Sequence, residues 1–169
     1  MSTVARSTGL RLFALLAAVV AACQSQLAPP YDKAVADGLQ EASAESLTLL
    51  AAVAAGTSSG TFPSRQADYS RVIGRLEALA ISAGARPMPK NKVTDAINLL
   101  LEKRGVQALE DDDATPPSAH AIRKTAETFA KMRETDRKQG ITAFEAAAFK
   151  GQVQIYLDQA ITYENFLQR

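Results

Sequence analysis

Apolar side chains recur at three- and four-residue steps along most of this chain. Between Pro30 and Gly56, Val35, Leu39, Ala42, Ser46, Leu49, Leu50 and Val53 fall on one helical stripe. Pro30 suits a first turn and Gly56 suits a stop. "TSSGTF" (57–62) reads as a turn by composition. A second helix restarts at Pro63, turns Tyr69, Val72, Ile73, Leu76, Leu79, Ala80 and Ala83 inward, and ends at Gly84 and Pro87. The short segment 91–105 has Val93, Ile97, Leu100 and Leu101 at helical spacing and stops at Gly105. Pro117 opens a fourth helix whose narrow apolar side is Ile122, Ala126, Phe129 and Met132 or Arg133. Glu127 with Lys131 and Glu134 with Lys138 are expected to pair along its wet side.

The last helix has the clearest start. Thr142 at the N-cap and Glu145 three residues later form a capping box, and Ile141 precedes it as a staple. The stripe then runs through Phe149, Val153, Tyr156, Leu157, Ala160, Tyr163 and Leu167. No segment alternates with period two, so no sheet is expected. The pattern predicts an all-α fold: an antiparallel bundle of four long helices plus one short helix, over residues 31–169. Helices of about 22–27 residues span roughly 33–40 Å, and short connections place neighbours antiparallel. Alanines on the inner faces allow close approach, and the short helix serves as a cap or crossover. A hairpin of the first two helices would set Arg86 beside Asp32, each at the helix end that suits its charge, and that ion pair is expected.

The first 22 residues read differently. Arg6 and Arg11 precede "LFALLAAVVAA" (12–22), eleven residues without a polar side chain. A basic start, an apolar run of about 7–15 residues and small residues at its end make a signal peptide, expected here as a helix. A spanning helix needs about 20 apolar residues, so this run is too short. The sole cysteine follows at once. "VAAC", Val20-Ala21-Ala22-Cys23, resembles the lipobox of bacterial lipoproteins. That resemblance implies a diacylglycerol on the Cys23 thiol, leader removal before it, and a membrane held through that lipid. Gln24 is not the aspartate that retains such proteins at the inner membrane, so the resemblance favours the outer membrane, facing the periplasm. The competing reading is ordinary cleavage after Ala22, which leaves an unpaired thiol in an oxidising compartment. The domains are a leader (1–22), a lipidated cysteine and short tether (23–30), and the helical domain (31–169).

Of 169 residues the leader takes 22, leaving 147, enough for one domain with a real core. It also removes two of the 19 basic residues, leaving 17 against 18 acidic ones. No basic stripe appears, so nucleic acid is not an expected partner. Catalytic and metal sites and cofactors are expected to be absent. His120 is the only histidine and has Pro117, not glutamate, three residues before it, so ferritin-like metal pairs are excluded. Ser118 near His120 reads as a helix start rather than a nucleophile. The acids Glu110–Asp113 lack the spacing of an EF-hand and read as a solvated loop. Asp37, Glu41 and Glu45, at steps of four, read as a solvent face.

Tyr31-Asp32, then Phe62, Arg65 and Tyr69, then "ARPMP" (85–89), resemble uncharacterised small helical lipoproteins of Gram-negative bacteria. The resemblance spans residues 31–89 and implies no activity. Arg65 stands near a helix N-terminus, where a cation is unfavourable, so it is expected to have a partner or a role. Tyr69, one turn on, can pack on its stem. Arg65, Tyr69, Arg86 and Asp32 are therefore the candidate binding or structural residues. The expected function is non-enzymatic: an envelope lipoprotein binding a protein partner through a helical surface. The alternative is a helical bundle taking a small hydrophobic ligand or a peptide, in a chaperone-like role. An exposed apolar patch would favour the first and an enclosed apolar pocket the second.

Overall fold

The computed structural model describes residues 28–88, 94–107 and 115–169. The leader helix, Cys23, Val93 and the Glu110–Asp113 run lie outside the described residues. Within them the protein is all-helical, without a strand: α1 (Lys33–Val53), a 3₁₀ helix (Ser59–Ser64), α2 (Gln66–Gly84), α3 (Thr94–Lys103), α4 (Pro117–Gln139) and α5 (Ala143–Leu167).

Each start and stop has a local cause. Asp32 caps α1, its carboxylate accepting from the Ala34 and Val35 amides at 2.8 and 3.4 Å. The helix therefore starts after Asp32, not at Pro30. "TSSGTF" is more ordered than a turn. Thr61 N–H and Arg65 N–H reach back to the Ser58 and Phe62 carbonyls, winding a 3₁₀ helix through Pro63, and α2 begins only at Gln66. Pro117 occupies the first turn of α4, and Gly140, at φ +83°, ends it. Arg137 and Lys138 lie in that last turn, where cations suit the helix dipole. The Thr142–Glu145 capping box forms in full, with both reciprocal bonds to backbone amides.

The buried residues of α1 and α2 are the two expected stripes, Ser46 included. Helix α4 departs from expectation. It packs against both α2 and α5, so its buried side is wide and takes in Ala119, Ala121, Thr125 and Thr128. The threonines tolerate this because each hydroxyl donates to a carbonyl one turn back, at 3.0 and 2.8 Å. The expected i,i+4 pairs are replaced by i,i+3 pairs. Glu127 takes Lys124 and Glu134 takes Arg137, while Lys131 lines a surface groove.

Contacts run α1 to α2, α2 to α4, α4 to α5 and α5 back to α1. Their direction is fixed by close approaches. A Cβ on Gly38 would lie 3.0 Å from Leu79, whereas Arg75 reaches Glu41, so α1 and α2 run in opposite senses. The end of α2 lies by the start of α4, through Gly84 and Ala119, and the end of α1 lies by the start of α5, through Gly56 and Ile141. Helix α3 packs on α5, where Ile97 and Leu101 enclose Tyr163 with Val106, Phe166 and Leu167. Asp37, Glu41 and Glu45 are not simply solvated: Lys33 pairs with Asp37, and Arg75 bridges the other two.

Among the described residues, one core position is under-satisfied. Ser46 is wholly buried and its hydroxyl has no partner, unlike Ser43 and Thr48, which bond carbonyls one turn back. A buried unpaired hydroxyl costs about 1–3 kcal/mol. Ser46→Ala should therefore raise the thermal midpoint by several degrees. An unchanged midpoint would mean the hydroxyl is satisfied by water.

Candidate functional site

At the end where α1 finishes and α5 begins, polar groups converge on Asp136. This carboxylate on α4 is fully buried. Arg65 grips it with two parallel bonds, Nε to Oδ2 and Nη2 to Oδ1, both 2.9 Å. Thr57 Oγ1 donates to Oδ1 at 2.5 Å and Tyr69 OH to Oδ2 at 3.2 Å. Arg65 also reaches Thr61 Oγ1 and the Ser58 carbonyl. The cation misplaced at the α2 N-terminus is thus held by an anion from another helix. Burial alone would raise the Asp136 carboxyl, but the Arg65, Thr57 and Tyr69 hydrogen bonds and the Arg65 charge outweigh it and hold it below the usual range. Burial, then the Asp136 charge, push the Tyr69 phenol far up, so it stays a donor. Its ring stacks on Phe62 at 6.1 Å between centroids.

The same end is clipped across the chain. Thr57 N–H donates to the Ile141 carbonyl at 2.7 Å, and Ile141 N–H returns a bond to Thr57 Oγ1 at 2.9 Å. Gly140 is required here: a Cβ would fall 2.5 Å from the Thr57 carbonyl, besides the positive φ. An open cleft of about 770 Å³ lies over this clip, between residues 55–61 and 139–145.

At the opposite end sits a second buried ion pair. Arg86, which follows α2, donates Nη1 and Nη2 to the two oxygens of Glu164 at 2.9 and 2.6 Å. It also bonds Ser118 Oγ at 3.0 Å and the Ala83 carbonyl at 3.2 Å. Burial pushes the neighbouring Tyr163 up to about 12, with Arg86 opposing and Glu164 adding to the shift. The expected Arg86–Asp32 pair is not formed. Asp32 spends its carboxylate on the α1 cap, and Arg86 is drawn inward to a buried acid that takes both of its terminal nitrogens. Ser118 Oγ accepts from the Arg86 guanidinium in the first turn of α4.

In each network the buried carboxylate is satisfied: Asp136 accepts from Arg65, Thr57 and Tyr69, and Glu164 accepts from both terminal nitrogens of Arg86. Among the described residues, the first half of the outer side of α5 is open. Phe144, Ala147, Ala148, Gly151 and Ile155 follow one another there, and Phe144 is 85 % exposed. The same side continues through Gln159 and Thr162, but there it is covered. Gln159 donates to the Gln107 carbonyl and Arg104 donates to Thr162. Helix α3 and the turn after it thus cover the second half of this side and leave the first half open. Beside the open half runs a groove of about 330 Å³ between α4 and α5, lined by Thr128, Lys131, Glu145, Ala148, Phe149, Gln152 and Tyr156.

Of the sequence candidates, Arg65 and Tyr69 come together on Asp136, while Arg86 and Asp32 serve separate purposes. Asp136, Glu164 and Phe144 were not foreseen. Among the described residues, no three histidine, cysteine or acidic side chains are grouped to hold a metal, and no helix is long and apolar enough to cross a membrane. No protein-family model, no curated protein and no solved structure matches this chain.

Proposed function

We propose that this chain is a non-enzymatic, lipid-anchored protein of the bacterial cell envelope, in which the α1, α2, α4 and α5 helices form one antiparallel bundle with α3 as a cap. The open side of α5 binds a protein partner. The closed ring of helix contacts and the end-to-end approaches at Gly56 and Gly84 support the bundle. The lipobox-like Val20–Cys23 supports the anchor, and Gln24 supports the outer membrane. The observation that carries the partner is the apolar side of α5, headed by Phe144. Exposed contiguous apolar surface of this kind marks interaction sites. It starts at the end remote from Tyr31, where the tether enters beside Phe166 and Leu167. At about 1.5 Å per residue the long helices hold it some 30 Å or more from that entry. The adjoining clefts are open rather than enclosed, which favours a macromolecular partner over a small apolar ligand.

The test combines acyl labelling with site-specific photocrosslinking in cells. Wild type should take up a palmitate analogue, whereas Cys23→Ser should take up none and persist as the larger, leader-bearing precursor. A crosslinker at position 144 should trap one discrete partner, and the same crosslinker at Ile81, 72 % exposed on α2, should not. Ala148→Glu should abolish the adduct without loss of helicity. Absence of label removes the anchor. Equal crosslinking at 144 and 81 removes the α5 interface.

A further inference from the structure

We infer that the end of the protein where the tether enters rests on the phospholipid surface, with Tyr31, Leu100 and Phe166 at headgroup depth and Arg104 and Arg169 at the lipid phosphates. This rests on the reading that Cys23 carries lipid. Four residues (24–27) lie between Cys23 and Ala28, the first described residue, so five Cα steps join the two. Fully extended they reach about 18 Å at most, too little to place a folded partner between this end and the bilayer. The occupant of this surface is therefore the bilayer itself.

The chemistry at that end fits it. Ala28–Tyr31 share one open cleft with Phe166, Leu167 and Arg169. A second cleft, lined by Leu100, Arg104, Thr162, Asn165, Phe166 and Arg169, shares Phe166 and Arg169 with the first, so the two are one continuous surface. Leu100, Phe166 and Leu167 are half-buried and Tyr31 is exposed, which leaves apolar edges without a large insertable patch. Amphipathic rings with a polar tip settle at the interfacial level. The Arg104 side chain is 60 % exposed. One nitrogen is held by Thr162, and Asp158 lies 3.8 Å away, which leaves the rest of its fork for a phosphate. Lys103 and Arg169 are exposed nearby, and their stems can lie along the interface with the charge at the phosphates. Asp158 and the exposed Glu102 offset these cations, so the contact is interfacial rather than a cationic attraction and does not require anionic lipid.

The test uses the full acylated protein in vesicles of phosphatidylethanolamine with a minor share of phosphatidylglycerol. With the Cys23 thiol blocked by lipid, a single introduced cysteine takes a fluorophore alone. Asn165→Cys samples the tether end and Phe144→Cys the far end. Lipids carrying a headgroup spin label should quench the fluorophore at 165 several-fold more than at 144, with little dependence on salt. Arg104→Glu combined with Leu100→Glu should bring quenching at 165 down to the 144 level, while acyl label and helicity stay unchanged. An acylated, folded protein quenched equally at both positions refutes the docking alone. A chain without acyl label refutes the lipid anchor, and the docking with it. Because the comparison of 165 with 144 needs no surface variant, it stands even where the double variant fails to fold.

Discussion

Replacing Asp136 with alanine should cost about 3–5 kcal/mol, a large share of the stability of a domain this size. The loss has a specific origin. Arg65 is bound by both carboxylate oxygens, and its side chain is only 14 % exposed, so removal of the acid leaves a largely buried guanidinium with two neutral acceptors. Thr57 and Tyr69 lose their acceptor at the same time. Tyr69→Phe, which deletes one 3.2 Å bond, should cost only about 1 kcal/mol. Asp136→Asn keeps the shape and tests the charge. The folded carboxyl is held below its ordinary range, so the unfolded chain takes up this proton first as pH falls. The contribution is thus fully present above the unfolded value of about 3.9 and is lost as pH falls through the lower folded value. Urea denaturation of wild type should show this acid-side loss. The asparagine variant, weaker at neutral pH, should show a flatter profile below pH 4. Identical acid slopes would mean that another carboxylate dominates.

The same residue marks how far the sequence could be read. Apolar periodicity located the buried faces of α1 and α2 because those faces are made almost wholly of aliphatic side chains. The α5 start was legible because a capping box is a local signal that needs no tertiary partner. The wide face of α4 was not, since threonine counts as polar in the pattern yet can satisfy its hydroxyl within its own helix. Asp136 and Glu164 stand in apolar register, four residues after Met132 and Ala160. An acid in that register implies a buried cation, and Arg65, misplaced at a helix N-terminus, was the visible half of one pair. Choosing between Asp32 and Glu164 for Arg86 required the packing of α5 against its neighbours, which no local pattern carries. Phe144 was hidden for the opposite reason: it lies off the core stripe, and a stripe search discards such residues.

Glu164→Ala should destabilise the protein by about 3–5 kcal/mol, while replacing both partners, Arg86→Met with Glu164→Leu, should recover most of that loss. The reason is asymmetry. The paired charges have already lost their hydration, and their mutual bonds at 2.6 and 2.9 Å compensate for it; one partner alone keeps the desolvation without the compensation. Arg86 would then retain only Ser118 and the Ala83 carbonyl. The apolar pair removes the charges together and adds contact with Tyr163 and the α3 cluster beside it. A double-mutant cycle read by urea denaturation isolates the coupling. The location adds a second readout. This pair ties the segment after α2 to the last turn of α5, with Ser118 from the first turn of α4. Glu164→Ala should therefore loosen that end first, and hydrogen exchange should quicken at the start of α4 and the end of α5 before it quickens around Thr57 and Asp136. Uniform acceleration over the whole chain, or a double variant no more stable than Glu164→Ala, would show that the ion pair does not hold this end together in the way its geometry implies.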